Sequence, residues 1–269
     1  MPGLTRRTLL VVACAVLVVA AGARPAPSIE AGRLLAQAAG APPASAELVA
    51  QGKALFNDTK LSGDGKWACA SCHPNNGHTD NKTYVGVNVV KDGDPQGRST
   101  PTMWGVTTRA AYSWAGMAPS LEANIRGIIV NRMKGAEPSK ETLAALVAYL
   151  GSLTYPPNPN LNPDGTPSAS APAAAKRGYE LFKGKAGCGT CHQGVAYDKK
   201  DVEDVESGGK FKVPALRVVT RTAPYFHDGR FATLDETVKY MWEYVKKAGT
   251  SENLTDADIK DLVEFLKIL

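Results

Sequence analysis

The sequence predicts an all-α protein made of two small helical domains in tandem. Three observations predict it: an order of elements that occurs twice, an amphipathic helix closing each copy, and sparse strand signals. A chain of 269 residues is long enough to bury two separate cores. Pro, Ala, Ser and Asn concentrate in two stretches that read as linkers, residues 24–44 and 156–173. They set off an N-terminal domain at 45–155 and a C-terminal domain at 174–269.

Residues 1–23 read as a secretory signal peptide. Arg6 and Arg7 precede an apolar run of about 16 residues, and Ala21-Gly22-Ala23 offers a small-x-small cleavage site. The run falls short of the ~20 residues that a membrane-spanning helix needs. The expectation is export to the periplasm, cleavage, and no stable membrane span afterwards. Cys14 lies inside the run and is expected to leave with it.

Each copy of the repeat opens on a helix-like segment, residues 48–56 and then 174–182, with Gly-x-x-Leu-Phe in both and Gly52 matching Gly178. Further on, residues 101–116 align with 214–229 without a gap, pairing Tyr112 with Tyr225 and Trp114 with His227. Each copy closes on an i, i+3, i+4, i+7 stripe: Leu143, Leu146, Val147 and Leu150, then Ile259, Leu262, Val263 and Leu266. Ser139 and Thr255 stand where a helix N-cap is expected.

Without Cys14, four cysteines remain, and all four fall in two Cys-x-x-Cys-His motifs: Cys69, Cys72 and His73, then Cys188, Cys191 and His192. Two such motifs arise by chance in about one chain in a million. A zinc site needs its second ligand pair about 12–20 residues from the first. These motifs start 119 residues apart. A thioredoxin-like redox pair has no use for the histidine. The pattern is that of covalently bound haem c, in which two thioethers pin the porphyrin edge and the adjacent imidazole reaches the iron. His73 and His192 are therefore expected as proximal ligands, one in each of two class I cytochrome c-like haem domains in tandem. The formal charge of +5 falls to +3 once Arg6 and Arg7 are removed. Four haem propionates offset most of that. No concentrated basic run with interleaved aromatics is present, so nucleic acid is not expected as a partner.

The stretch from Thr222 through His227-Asp228-Gly229 to Val238, with Met241 just beyond, carries a family resemblance. So does the segment from Gly52 to Gly65 ahead of Cys69, and so does Arg98-Ser-Thr-Pro-Thr. Over nearly the whole mature chain, these segments resemble the bacterial di-haem cytochrome c peroxidases and their MauG-like relatives. The resemblance implies a low-spin C-terminal haem with Met241 as sixth ligand and His227 supporting it from beside the haem. It implies Trp114 as an electron relay between two haems, with hydrogen peroxide reacting at the N-terminal one. A small periplasmic cytochrome c or cupredoxin is implied as electron donor. The resemblance also suggests a Ca2+ ion between the domains.

The first half departs from the family pattern at two places. Ile128 holds the repeat position of Met241 and cannot bind iron. The sixth-ligand candidates left there are His78, Met103, Met117 and Met133, since no histidine lies between His78 and His192. The family's acid–base glutamate falls in an Asn-Pro-x-Glu-Met segment, whereas this chain reads Val130-Asn131-Arg132-Met133. Arginine stays protonated, so Arg132 is a poor proton shuttle but can stabilise developing negative charge. Glu137 is the next carboxylate along the chain. Three readings stay open on the sequence: a peroxidase, a di-haem electron carrier without peroxidase activity, and MauG-like oxidation of a partner protein.

Overall fold

Each half is framed by a helix at its start and a helix at its end, and the frame is set by local signals. The computed structural model describes residues 44–84 and 97–269. Residues 1–23, expected as a signal peptide and containing Cys14, and all but the last residue of the first linker lie outside them. In chain order the longer helices are α1 (Ala46–Phe56), α2 (Leu121–Gly127), α3 (Lys140–Ser152), α4 (Ala173–Lys183), α5 (Leu234–Lys247) and α6 (Asp256–Ile268). Ser45 and Ser139 cap α1 and α3 by accepting from the amides of Leu48 and Thr142. Thr233 with Glu236 and Thr255 with Asp258 form reciprocal capping boxes on α5 and α6. Among the described residues, strand is confined to two antiparallel pairs: β1 (Thr83–Tyr84) with β2 (Arg98–Ser99), and β3 (Val202–Glu203) with β4 (Phe211–Lys212).

The closing helices bury the stripes that the sequence marks. Leu143, Leu146 and Leu150 of α3 and Leu262, Val263 and Leu266 of α6 are all buried. Phe56 of α1 meets Tyr149 of α3 edge to face at 5.2 Å. Phe182 of α4 meets Phe265 of α6 in the same way, also at 5.2 Å. The helices of each pair approach so closely that a Cβ on Gly52 would run into the carbonyl oxygen of Ala145, and one on Gly178 into that of Asp261. The matched glycines of the repeat are thus helix-crossing points. Gly178→Ala is expected to cost about 1–3 kcal/mol through overpacking, read as a drop in the midpoint of chemical denaturation.

The Pro/Ser/Ala/Asn stretch after α3 is folded onto the second half. Asn158 donates from Nδ2 to the carbonyl of Ile268 at 2.7 Å, the Tyr197 hydroxyl donates to the carbonyl of Gly165 at 2.8 Å, and Ala171 is buried.

The halves meet through an approximate two-fold. The Ser99 amide donates to the His227 carbonyl at 2.7 Å, and the Lys212 amide donates to the Trp114 carbonyl at 2.9 Å. Ser99 and Lys212 are repeat partners, as are Trp114 and His227, so the two bonds are copies of each other. Arg98 lies over the ring of its own repeat partner Phe211, 5.2 Å from the centroid. Contacts without copies add to the seam: Asn81 donates from Nδ2 to the Ala223 carbonyl at 2.6 Å, and the Asp198 carboxylate accepts from the Ala110 amide at 2.9 Å.

Candidate functional site

Both Cys-x-x-Cys-His motifs fold into a single helical turn, closed by His73 N–H to the Cys69 carbonyl at 2.9 Å and by His192 N–H to the Cys188 carbonyl at 3.0 Å. The turn gathers two sulfurs and one imidazole in each half. His192 donates from Nδ1 to the Tyr197 carbonyl at 2.8 Å, and His73 Nδ1 reaches the His78 carbonyl, its repeat equivalent, at 3.3 Å. A carbonyl only accepts, so in each ring Nδ1 carries the proton and Nε2 keeps its lone pair. Burial pushes both imidazoles down to about 4, so they are neutral at pH 7. Burial likewise pushes the Cys69 and Cys188 thiols up to about 12.

All six of these residues line one continuous cavity of about 560 Å³ that runs through both halves. Its walls are largely apolar, with Val106, Ile125, Ile129 and Leu150 in the first half and Val219, Val238, Leu262 and Leu266 in the second. This donor set fits covalent haem c. Each motif offers two sulfurs and one imidazole with a free Nε2, and a cation on the wall keeps one donor unanswered: Arg109 Nε is buried with no hydrogen-bond partner among the described residues.

The structure brings most of the sequence-marked residues to this cavity. Met241 on α5 and Ile128 both line it, Ile128 opening a π-helical turn, Ile128–Arg132, that extends α2. Trp114 and His227 also line it and stand against each other across the seam, ring centroids 6.3 Å apart at 72°. Trp114 donates from Nε1 to the Ser99 carbonyl at 2.9 Å. His227, 3% exposed, stacks on Phe211 at 3.6 Å. Arg132 lines the first half's part of the cavity.

Other candidates lie elsewhere. His78 donates from Nε2 to the Arg221 carbonyl at 3.1 Å and accepts at Nδ1 from the Thr102 hydroxyl at 2.8 Å, with its ring stacked on Trp104. Both nitrogens are engaged by protein groups and His78 does not line the cavity, which removes it as an iron ligand in this structure. Met117 is 84% exposed, whereas Met103 and Met133 line the cavity. Glu137 is on the surface in a bidentate pair with Arg126, the longer contact being 2.7 Å, so it does not face the cavity as a second proton carrier. Two residues were not marked by the motifs: Arg109 and Lys212, both on the cavity wall. Their only signal in the sequence is asymmetry, a cation in one copy of the repeat where the other has Thr222 or Ser99.

Two helical halves, each with a Cys-x-x-Cys-His turn facing a shared apolar cavity, define a tandem di-haem c-type cytochrome. Residues 46–155 match the family model of di-haem cytochrome c peroxidases, and residues 175–269 match that of cytochrome c. The chain is 30% identical over 286 residues to the methylamine utilization protein MauG of Methylorubrum extorquens, covering 84% of this chain and 79% of that protein. It is 28% identical to the cytochrome c551 peroxidase of Pseudomonas aeruginosa, covering 81% of this chain and 77% of the relative. The chain belongs to the di-haem cytochrome c peroxidase and MauG family, whose cofactors are two covalently bound haem c groups. The fold is shared with the hydrazine synthase structure from Kuenenia stuttgartiensis, at TM-score 0.66 and 24% identity over 85% of this chain and 89% of that one. It is shared too with the diheme peroxidase BthA of Burkholderia thailandensis, at TM-score 0.61 and 19% identity over 84% and 86%.

Proposed function

We propose that the chain is a periplasmic di-haem oxidoreductase that takes electrons from a small cytochrome c or cupredoxin at its C-terminal half and reduces hydrogen peroxide at its N-terminal half. One observation carries the reading. Ile128 and Met241 are repeat partners on the same cavity, and only one of them can ligate iron. In this reading Cys69, Cys72 and His73 hold one haem, and Cys188, Cys191 and His192 hold the other. The haem groups supply electron storage and the redox chemistry of the peroxide bond. Met241 closes the second pocket with a thioether, a ligand that favours ferrous iron and suits electron entry. Ile128 offers no donor at the matched position and, in this reading, neither Met103 nor Met133 takes its place, so the first pocket keeps room for a small ligand. His227 packs beside the second pocket, and Trp114 stands in the wall between the two as the relay. Arg132 stabilises negative charge on the substrate side and moves no proton.

Secretion is supported by the basic and apolar pattern of residues 1–23. Among the described residues, no helix is long and apolar enough to cross a membrane.

A second reading, an electron carrier or an oxidant of a partner protein, is favoured by one feature: Arg132 lines the cavity where the family has its carboxylate, and Glu137 is committed to Arg126. Optical spectra of the fully oxidised and half-reduced protein separate the readings. A high-spin haem that binds cyanide supports the peroxidase, and two low-spin haems inert to cyanide support the carrier. Mature protein from a host with c-type maturation is expected to gain the mass of two haem groups. Bound zinc and no haem would overturn both readings.

A further inference from the structure

The shared cavity is lined by more cations than carboxylates among the described residues. Five cationic side chains line the cavity, Arg98, Arg109, Arg132, Lys212 and Arg217, against one carboxylate, Glu203. Arg217 is spent on the carbonyls of Leu269 and Val195 and on the Tyr155 ring, and Arg98 lies over Phe211. Arg109 and Lys212 are different. Arg109 comes from the first half and Lys212 from the second, and their charges act on each other. Lys212 is 8% exposed and makes no ion pair within 4 Å among the described residues. Arg109 donates from Nη2 to the carbonyls of Thr102 and Trp104, yet its buried Nε has no acceptor.

A single acid, Asp198, lies near both cations, and its carboxylate already accepts from the Ala110 amide. Tyr155, which hydrogen-bonds Arg109, and Tyr112 are the other titratable groups close by. Buried cations persist only beside an anion or enough acceptors. Burial, with the Arg109 charge, pushes the Lys212 ammonium down to about 8, and Asp198 offsets only part of this.

We propose that Arg109 and Lys212 form a carboxylate cradle in the wall between the two pockets, and that the carboxylates it takes are haem propionates. The assignment rests on the reading that both motifs carry covalent haem. The Arg109 charge is felt at His73 and the Lys212 charge at His192, so one cation stands near each motif. The Ala110 amide hydrogen-bonds Asp198 of the second half, and the Lys212 amide hydrogen-bonds the Trp114 carbonyl of the first. The backbone at each cation is therefore tied to the opposite half. Guanidinium and ammonium both pair strongly with carboxylate, the guanidinium in a planar two-point contact.

The test is the redox potential of each haem between about pH 5 and pH 8 in protein whose mass shows both haems; absence of haem defeats the underlying reading, not this inference alone. In the parent, propionates held ionised by the cradle give potentials that do not vary with pH over that range. In Arg109→Met one haem's potential falls and acquires a slope, decreasing as pH rises, because a freed propionate now titrates and its ionised form favours ferric iron. Lys212→Met does the same to the other haem, and Arg109→Lys restores the flat profile. Parent potentials that already slope overturn the proposal without recourse to any variant. So do variant profiles identical to the parent's. A shift of the parent's potentials on adding sodium acetate would show an exchangeable free carboxylate in the cradle and overturn the haem assignment.

Discussion

Replacing Met241 with alanine is expected to abolish the methionine-to-iron charge-transfer band, lower the potential of one haem and leave the other unchanged. The argument starts from place. Met241 lies on the cavity face of α5, a helix whose start is fixed by the Thr233–Glu236 capping box and whose Leu234 and Val238 are buried in the second core. A side chain one turn beyond Val238 is thereby held toward the pocket of Cys188, Cys191 and His192. A thioether stabilises ferrous iron relative to ferric, so its loss lowers the potential. A core methionine with no iron bond would instead cost stability and leave band and potential in place. An unchanged spectrum would move the ligand to His227, which is buried on the same cavity.

Exchanging Arg132 for glutamate is expected to raise peroxide turnover by roughly a hundredfold, the contribution of one positioned acid–base group. Cleavage of the peroxide bond requires a proton to pass between its oxygens, and a permanently protonated guanidinium cannot take one up. Arg132 lines the first pocket two positions past Val130 on the π-helical turn, so a carboxylate there faces the same space. The measurement is steady-state peroxide reduction with a reduced small cytochrome as donor, for the parent, Arg132→Glu and Trp114→Phe. Parental turnover as fast as that of an ordinary family member would overturn the claim of a missing proton shuttle. A Trp114→Phe rate equal to the parent's would remove Trp114 from the electron path.

The parts legible in the sequence are those fixed by neighbours along the chain. The stripes of α3 and α6, their caps at Ser139 and Thr255, and the two haem-type motifs all depend on spacings of a few residues. The repeat alone also exposes the inequality of Ile128 and Met241. What stayed hidden depends on distant segments arriving together. Nothing in the sequence around His78 shows that Thr102 and the Arg221 carbonyl engage both its nitrogens, and nothing around Glu137 shows Arg126 waiting on the surface. The Pro-rich stretch reads as a tether because its composition resists helix and strand, yet Asn158 and Gly165 tie it to the second core. Arg109 and Lys212 escaped for the same reason: each is an ordinary surface-type residue until the other half covers it.

The paired bonds from Ser99 to His227 and from Lys212 to Trp114 have the form of a dimer contact, in which one patch meets a copy of itself. Two identical subunits joined this way have no preferred sense: whatever passes from the first to the second passes back as readily. Fusing them into one chain frees each copy to change alone, and the changes lie at matched positions, Ile128 against Met241, Ser99 against Lys212, Thr222 against Arg109. The frame of the molecule is reversible, and under the proposed function a handful of side chains around the dyad would set its directionality.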